Sequence, residues 1–155
     1  MTVQVVKQVL DRNVRAVNAR DAEAYLANQQ PDVEFVLPGG VALHGRDEIG
    51  AYIATMWSAF PDGTITFSAE VIADDSAAVE VIFTGTHTGP LISPGGSVQP
   101  TGKRVSLHSA SILQIRDGLI ASEHVYLDQM DMLTQLGLAG GDAPAEPADV
   151  SVSED

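Results

Sequence analysis

The apolar pattern of this chain changes its period once, and that change restricts the fold more than any other feature. Up to residue 60 the pattern is mainly helical. Val3, Val6, Leu10, Val14 and Val17 step by three or four, and Thr2 stands where an N-cap belongs. A second, short helix fits residues 22–28, with Asp21 as its cap and Pro31 beyond its end. Residues 33–37 then alternate as a strand, which Pro38-Gly39-Gly40 breaks. A third helix follows Gly45. It carries Ile49, Ile53, Met56, Trp57 and Phe60 on one face, and Pro61-Asp62-Gly63 stops it. From residue 64 the period falls to two. Runs at 64–73, 77–88, 103–116 and 119–128 read as strands of a meander, with Asp74-Asp75 and Asp117-Gly118 at the tight turns. Residues 89–102 form a long connection, of the kind that borders a site. Helices first and antiparallel strands last predict an α+β fold. In it, three N-terminal helices pack on a strongly curved, mainly antiparallel sheet, forming a cone with a central cavity.

A chain of 155 residues supports one core and not comfortably two, which predicts a single domain over residues 1–138. After Gly140-Gly141 the composition shifts to five acids, no base and two prolines, the marks of an acidic, mobile tail over residues 139–155. The formal net charge of -13 leaves no clustered Lys and Arg to neutralise phosphates, so nucleic acid and anionic membrane surfaces are not expected partners. The absence of Cys removes disulfides, thiolate metal sites and a thiol nucleophile. The N-terminal residues show no signal-peptide pattern, and no apolar run approaches the ~20 residues of a bilayer span. The expected location is cytoplasmic.

Five motifs carry a resemblance. They are His44-Gly45-Arg46-Asp47-Glu48-Ile49, Phe83-Thr84-Gly85-Thr86-His87-Thr88-Gly89, Pro100-Thr101-Gly102-Lys103-Arg104-Val105, Asp117-Gly118-Leu119-Ile120, and the run from Asp128 to Gln135-Leu136-Gly137. With the order of elements, they make the chain similar to the SnoaL-like polyketide cyclases, a family of the nuclear-transport-factor-2-like, cystatin-like α+β cone superfamily. The resemblance covers nearly all of residues 5–138. It implies an enzyme without cofactor that closes a ring by intramolecular aldol condensation on a small, hydrophobic, polycyclic substrate. It also implies that an Asp at the end of the last strand carries the proton, and Asp128 occupies that position. The superfamily also holds isomerases, epoxide hydrolases and non-catalytic binding domains, so the fold is better specified than the reaction.

The residues themselves leave acid/base chemistry as the route to an enolate. A Schiff base needs a desolvated Lys, and Lys7 and Lys103, the only two, sit early on the first helix and at a loop–strand junction. The four histidines, His44, His87, His108 and His124, lack H-x-x-x-H or H-x-H spacing, so no metal site is expected. Strict alternation puts Ile120, Ser122, His124, Tyr126 and Asp128 on one face and Ala121, Glu123, Val125 and Leu127 on the other. The first row, aromatic and ending in an acid, suits a pocket in which Asp128 resists ionisation. The alternative role for Asp128 is to cap a C-terminal turn over residues 129–136. His124 either orients Asp128 or acts as a second proton carrier, with a buried structural histidine as the alternative. His108 joins Asp128 only if the hairpin register slips by one. Trp57, Tyr126, Phe35, Met56 and His87 are the candidate substrate contacts, with core packing or a loop end as their structural alternatives. A steroid-isomerase-like reaction needs a carboxylate base and a Tyr or protonated-Asp oxyanion hole; Asp128 and Tyr126 match part of this, while the other two tyrosines, Tyr25 and Tyr52, have no evident place. An epoxide hydrolase of the related type needs Arg-x-Asp, for which only Arg46-x-Glu48 stands. The outer sheet face is expected to form a homodimer or homotetramer.

Overall fold

A computed structural model describes residues 1–93 and 96–139. The acidic segment from residue 140 onward lies outside the described residues. Helix α1 (Val3–Ala19) starts where Thr2 Oγ1 accepts the Val5 N–H at 3.2 Å. It buries Val6, Val9, Leu10, Asn13 and Ala16. Val3, expected on the apolar stripe, is exposed instead. Each fully buried Val or Leu of that stripe is worth roughly 1.5–3 kcal/mol. The helix ends at Arg20, whose φ is 54° and whose guanidinium bonds the Phe60 and Gly63 carbonyls at 3.2 and 3.0 Å. Helix α2 (Ala22–Ala27) is capped by Asp21, as its spacing predicts. Helix α3 (Gly45–Ala59) begins with Gly45 at φ 79°, while Glu48 reaches back to the His44 N–H at 2.7 Å. Arg46 Nε donates to the Gln29 carbonyl at 3.0 Å, which ties this turn to the first strand.

The strands are β1 (Gln29–Val36), β2 (Ala42–His44), β3 (Thr64–Ile72), β4 (Ser76–Thr86), β5 (Leu91–Ser93), β6 (Gly96–Val98), β7 (Arg104–Arg116) and β8 (Leu119–Leu127). Six of them form one sheet in the order β2-β1-β8-β7-β4-β3. All its pairings are antiparallel except β1 with β8, which run parallel. The long connection contains the small β5–β6 hairpin, which the sequence does not announce. A short helix α4 (Gln129–Gln135) closes the domain. The fold is therefore the expected α+β arrangement of helices on a curved, mainly antiparallel sheet. No described helix is long and apolar enough to cross a membrane.

The core divides in two. The larger cluster joins α1, α2 and α3 to the concave face through Leu10, Tyr25, Phe35, Ile49, Leu113 and Ile120, among others. The smaller one, at the end of α3, holds Ala59, Phe60, Val105, Leu107 and Leu136. The Gln135-Leu136-Gly137 motif has a structural reason here. Gln135 exchanges two hydrogen bonds with the Ser106 backbone at 2.7 and 2.9 Å, Leu136 is buried, and Gly137 has φ 75°.

Candidate active site on the concave face

The register of the last hairpin decides which side chains meet. Asp117 and Gly118 both have positive φ, 53° and 73°, and make a two-residue turn between Arg116 and Leu119. The pairing then shifts by one residue: Ile115 faces Ile120, but Gln114 faces Ser122. Ala121 is thus an extra residue, a β-bulge, and it inverts the alternation beyond it. Ile120 points inward and is fully buried. After the bulge, Glu123, Val125 and Leu127 share the concave face with Leu113, Ser111 and Ser109. The expected pocket row of Ser122, His124 and Tyr126 lies on the convex face.

Each predicted site residue can now be placed. Asp128 is exposed, and its Oδ1 accepts the Asp131 N–H at 3.0 Å as the N-cap of α4. The expectation that it sits in a pocket is corrected by the bulge and by this cap. Asp128→Ala is expected to cost about 1 kcal/mol of stability, the usual worth of an N-cap. It should leave acid/base activity within a few-fold of wild type, as urea unfolding and rate measurements will show. His124 is half-exposed, with Nε2 at 3.5 Å from Glu34, and the same carboxylate lies 3.9 Å from His44 Nδ1. His108 is exposed on the convex face, opposite Ile82 on β4. The register does slip by one, through a bulge in β8, and that turns the far end of β8 onto the convex face where unbroken alternation along β7 already places His108. Tyr126 is 61% exposed and lies between two convex-side clefts of about 280 and 290 Å³. The first opens where β1 and β8 part beyond Val36 and His124.

His87 is neither a pocket lip nor a solvated loop end. It is fully buried beside Phe60, with ring centroids 5.3 Å apart. Its Nδ1 accepts the Thr101 N–H at 3.2 Å, and its backbone bonds Lys103 and Gly102, closing the base of the 88–102 excursion. Burial pulls its pKa down. Met56 packs half-buried against the smaller core. Phe35 and Trp57 do belong to the concave side: Phe35 is buried beside Tyr52, centroids 5.5 Å apart, and Trp57 packs half-buried on the same cluster.

What the concave face gathers is a different acid. Glu123 faces inward opposite Leu113 on one side and Phe35 on the other. Burial among these apolar neighbours pushes its carboxyl up from 4.5 to about 7, against a smaller downward pull from a hydrogen bond to Ser111. Ser111 itself is 2% exposed. The two tyrosines without an evident place converge here. Burial, with a contribution from the Glu123 charge, raises Tyr52 to about 12 and Tyr25 well above its ordinary value. At the narrow end Val79, Leu113, Ile115 and Ile120 form solid core. Towards the wide end Ser109, Glu123, Val125 and Leu127 face Tyr52, Met56 and Trp57, and all are only half-buried. The helices cover the sheet only partly there, and the two clefts described above lie on the convex side instead. Among the described residues, no three His, Asp or Glu side chains gather as a metal site.

Sequence reasoning missed Glu123, Ser111, Tyr25 and Tyr52, although a signal existed. Ala121, Val125 and Leu127 make an apolar row broken by one acid, whereas Ser122, His124, Tyr126 and Asp128 are all polar or amphipathic. A strand buried on one face turns its apolar row inward, so composition pointed to the row that alternation from Ile120 rejected.

Three helices on a curved sheet, with a protonatable carboxyl on the concave side, place the molecule in the ketosteroid-isomerase-like, nuclear-transport-factor-2-like class of α+β folds. A hypothetical protein of that fold from Catenulispora acidiphila superposes with a TM-score of 0.70 over 88% of this chain and 97% of its own, at 20% identity. Within the class the chain belongs to the SnoaL-like polyketide cyclase family, whose model matches residues 7–136. TsrD from Streptomyces laurentii is 25% identical, covering 87% of this chain and 96% of its own, with a TM-score of 0.75. IdmH from Streptomyces antibioticus, itself proposed as a polyketide cyclase, is 26% identical over 84% of this chain and 97% of its own, with a TM-score of 0.71. No curated protein matches the sequence significantly.

Proposed function

We propose that this chain closes a ring in a polyketide-type substrate by intramolecular aldol condensation, with Glu123 as the proton carrier. The observation behind this reading is a carboxyl on the concave face whose surroundings bring its pKa to about 7. A general base works best when its pKa lies near the operating pH. As carboxylate, Glu123 takes a proton from the carbon beside a carbonyl. The resulting enolate carbon attacks the acceptor carbonyl, a C–C bond forms, and the new alkoxide receives the proton back. Atoms balance, and no oxidant or reductant is required. The Tyr25 and Tyr52 hydroxyls, neutral over the whole working range, are the donors available to a developing oxyanion. Ser111 steadies the ionised form of Glu123.

The partners in this reading are a small, hydrophobic, polycyclic substrate and a second copy of the chain. The copy would sit on the convex face, where Ile112 and Tyr126 are exposed. The test of the reaction is a pH profile. On linear polyketide esters, kcat/KM should rise with an apparent pKa near 7 and then level off. A flat profile from about pH 5 to 9 overturns the assignment of Glu123 as base. A ketosteroid-isomerase-like proton shift uses the same base and the same tyrosines, and product analysis distinguishes it by the absence of a new C–C bond.

A further inference from the structure

His87 follows directly on β4, and the start of β7 and the end of α3 meet beside it. Its N–H donates to the Lys103 carbonyl at 2.9 Å, and its carbonyl accepts the Gly102 N–H at 2.8 Å. The next two N–H groups, of Thr88 and Gly89, both donate to the Ala59 carbonyl at 3.1 Å. A Cβ on Gly89 would collide with the Ser58 carbonyl, so the chain lies tightly on the helix end there. The imidazole is fully buried against Phe60. Its Nδ1 accepts the Thr101 N–H at 3.2 Å and lies 3.1 Å from Thr101 Oγ1, which itself accepts the Lys103 N–H at 3.3 Å. Its Nε2 is buried without a hydrogen-bond partner.

We propose that His87 is a proton-operated clasp: the neutral ring fastens Thr101 to the end of β4, and protonation releases the 88–102 excursion. An Nδ1 that accepts a backbone N–H loses its lone pair on protonation, and two hydrogens then point at each other. The new charge also sits in a buried place whose second nitrogen has no acceptor. Charged groups on the surrounding elements do not relieve it. Asp62, in the turn after α3, accepts from the Thr86 N–H and Oγ1 at 2.7 and 2.8 Å and lies 3.9 Å from Arg104. Lys103 and Arg104 are cations with exposed side chains, and Ser58, Ala59 and Phe60 carry no charge. Burial holds His87 below its ordinary 6.5, against a smaller upward pull from the Gly89 backbone. The released ring titrates near 6.5, so the clasp is complete above that pH and weakens as pH falls below it. The excursion carries Leu91, which packs on the smaller core with Met56 and Leu127, two residues at the wide end of the concave face. Release therefore loosens the edge of that face. The inference stands independently of the role given to Glu123.

Amide hydrogen exchange on the full chain tests this. Corrected for intrinsic exchange, opening at Thr101 and Gly102 should rise about tenfold between about pH 7.5 and about pH 5.5, as expected of one site protonated only when open. Protection at Val79 and Val81, in the middle of β4, should not fall. Asp62 stays ionised throughout, because its hydrogen bonds from Thr86 hold its pKa below 3.8. His87→Asn keeps a neutral acceptor but cannot titrate, so the tenfold change should vanish in it. An unchanged pH response in that variant, or no change at Thr101 and Gly102 in wild type, overturns the inference. A second measurement needs no variant. Imidazole nitrogen resonances of wild type at about pH 7.5 should show the His87 proton on Nε2, and a proton on Nδ1 also overturns it. Neither experiment involves turnover, so failure of the acid/base reading appears in rates and failure of this inference in exchange.

Discussion

Glu123→Gln should lower the rate of ring closure by about two to four orders of magnitude while preserving the fold, the scale of a lost general acid–base group. Glutamine keeps the shape and the hydrogen-bonding reach towards Ser111 but cannot exchange a proton near neutral pH. The loss should appear in kcat more than in KM, because the proton moves in the transition state and the amide keeps the shape of the acid. Circular dichroism that matches wild type, with a collapsed rate, is the expected pair of results. A variant that retains near-wild-type turnover removes Glu123 from the mechanism and leaves the concave face as a binding surface.

The same substitution should stabilise the protein, and the effect should depend on pH. The Glu123 carboxyl titrates near 4.5 when unfolded and about 7 when folded. The folded state therefore holds its proton more tightly, and stability falls as pH rises between those two values. Above about pH 8 the wild type carries the full cost of a desolvated carboxylate, of order 2–3 kcal/mol. Glu123→Gln escapes that cost. Its melting temperature should exceed that of wild type by about 5–10 °C at pH 8, and the gap should close near pH 4.5. Thermal unfolding of both proteins at the two pH values measures it. An equal difference at both would mean that glutamine simply packs better. A gain in stability coupled to a loss of rate is the behaviour of a group held in an unfavourable setting for its chemistry.

The residues of β8 that differ from expectation share one cause. The four long strands, the three N-terminal helices and the caps at Thr2 and Asp21 follow local periodicity, and each lies within a residue or two of where the pattern puts it. Such features depend on neighbours three or four positions away, or two in a strand. The choice of which face of β8 looks inward depends on Ala121, one residue accommodated without a partner on β7. A bulge leaves almost no trace in composition, yet it moves every later side chain to the opposite face. Asp128, His124 and Tyr126 were carried outward by it, and Glu123 was carried in. His108 faces outward for a different reason: β7 pairs with β4 without interruption, and simple alternation between Leu107 and Leu113 leaves it on the convex side.

Tyr25 and Tyr52 illustrate the complementary limit. One lies on α2 and the other on α3, far from β8 in sequence. Their approach to Glu123 exists only once the helices lie across the sheet. The order of elements and the α+β cone were legible in the chain because hydrophobic period, capping and turn chemistry are local. The site was not, because a carboxyl acquires a pKa near 7 only when strands, helices and one unpaired residue together remove water from around it.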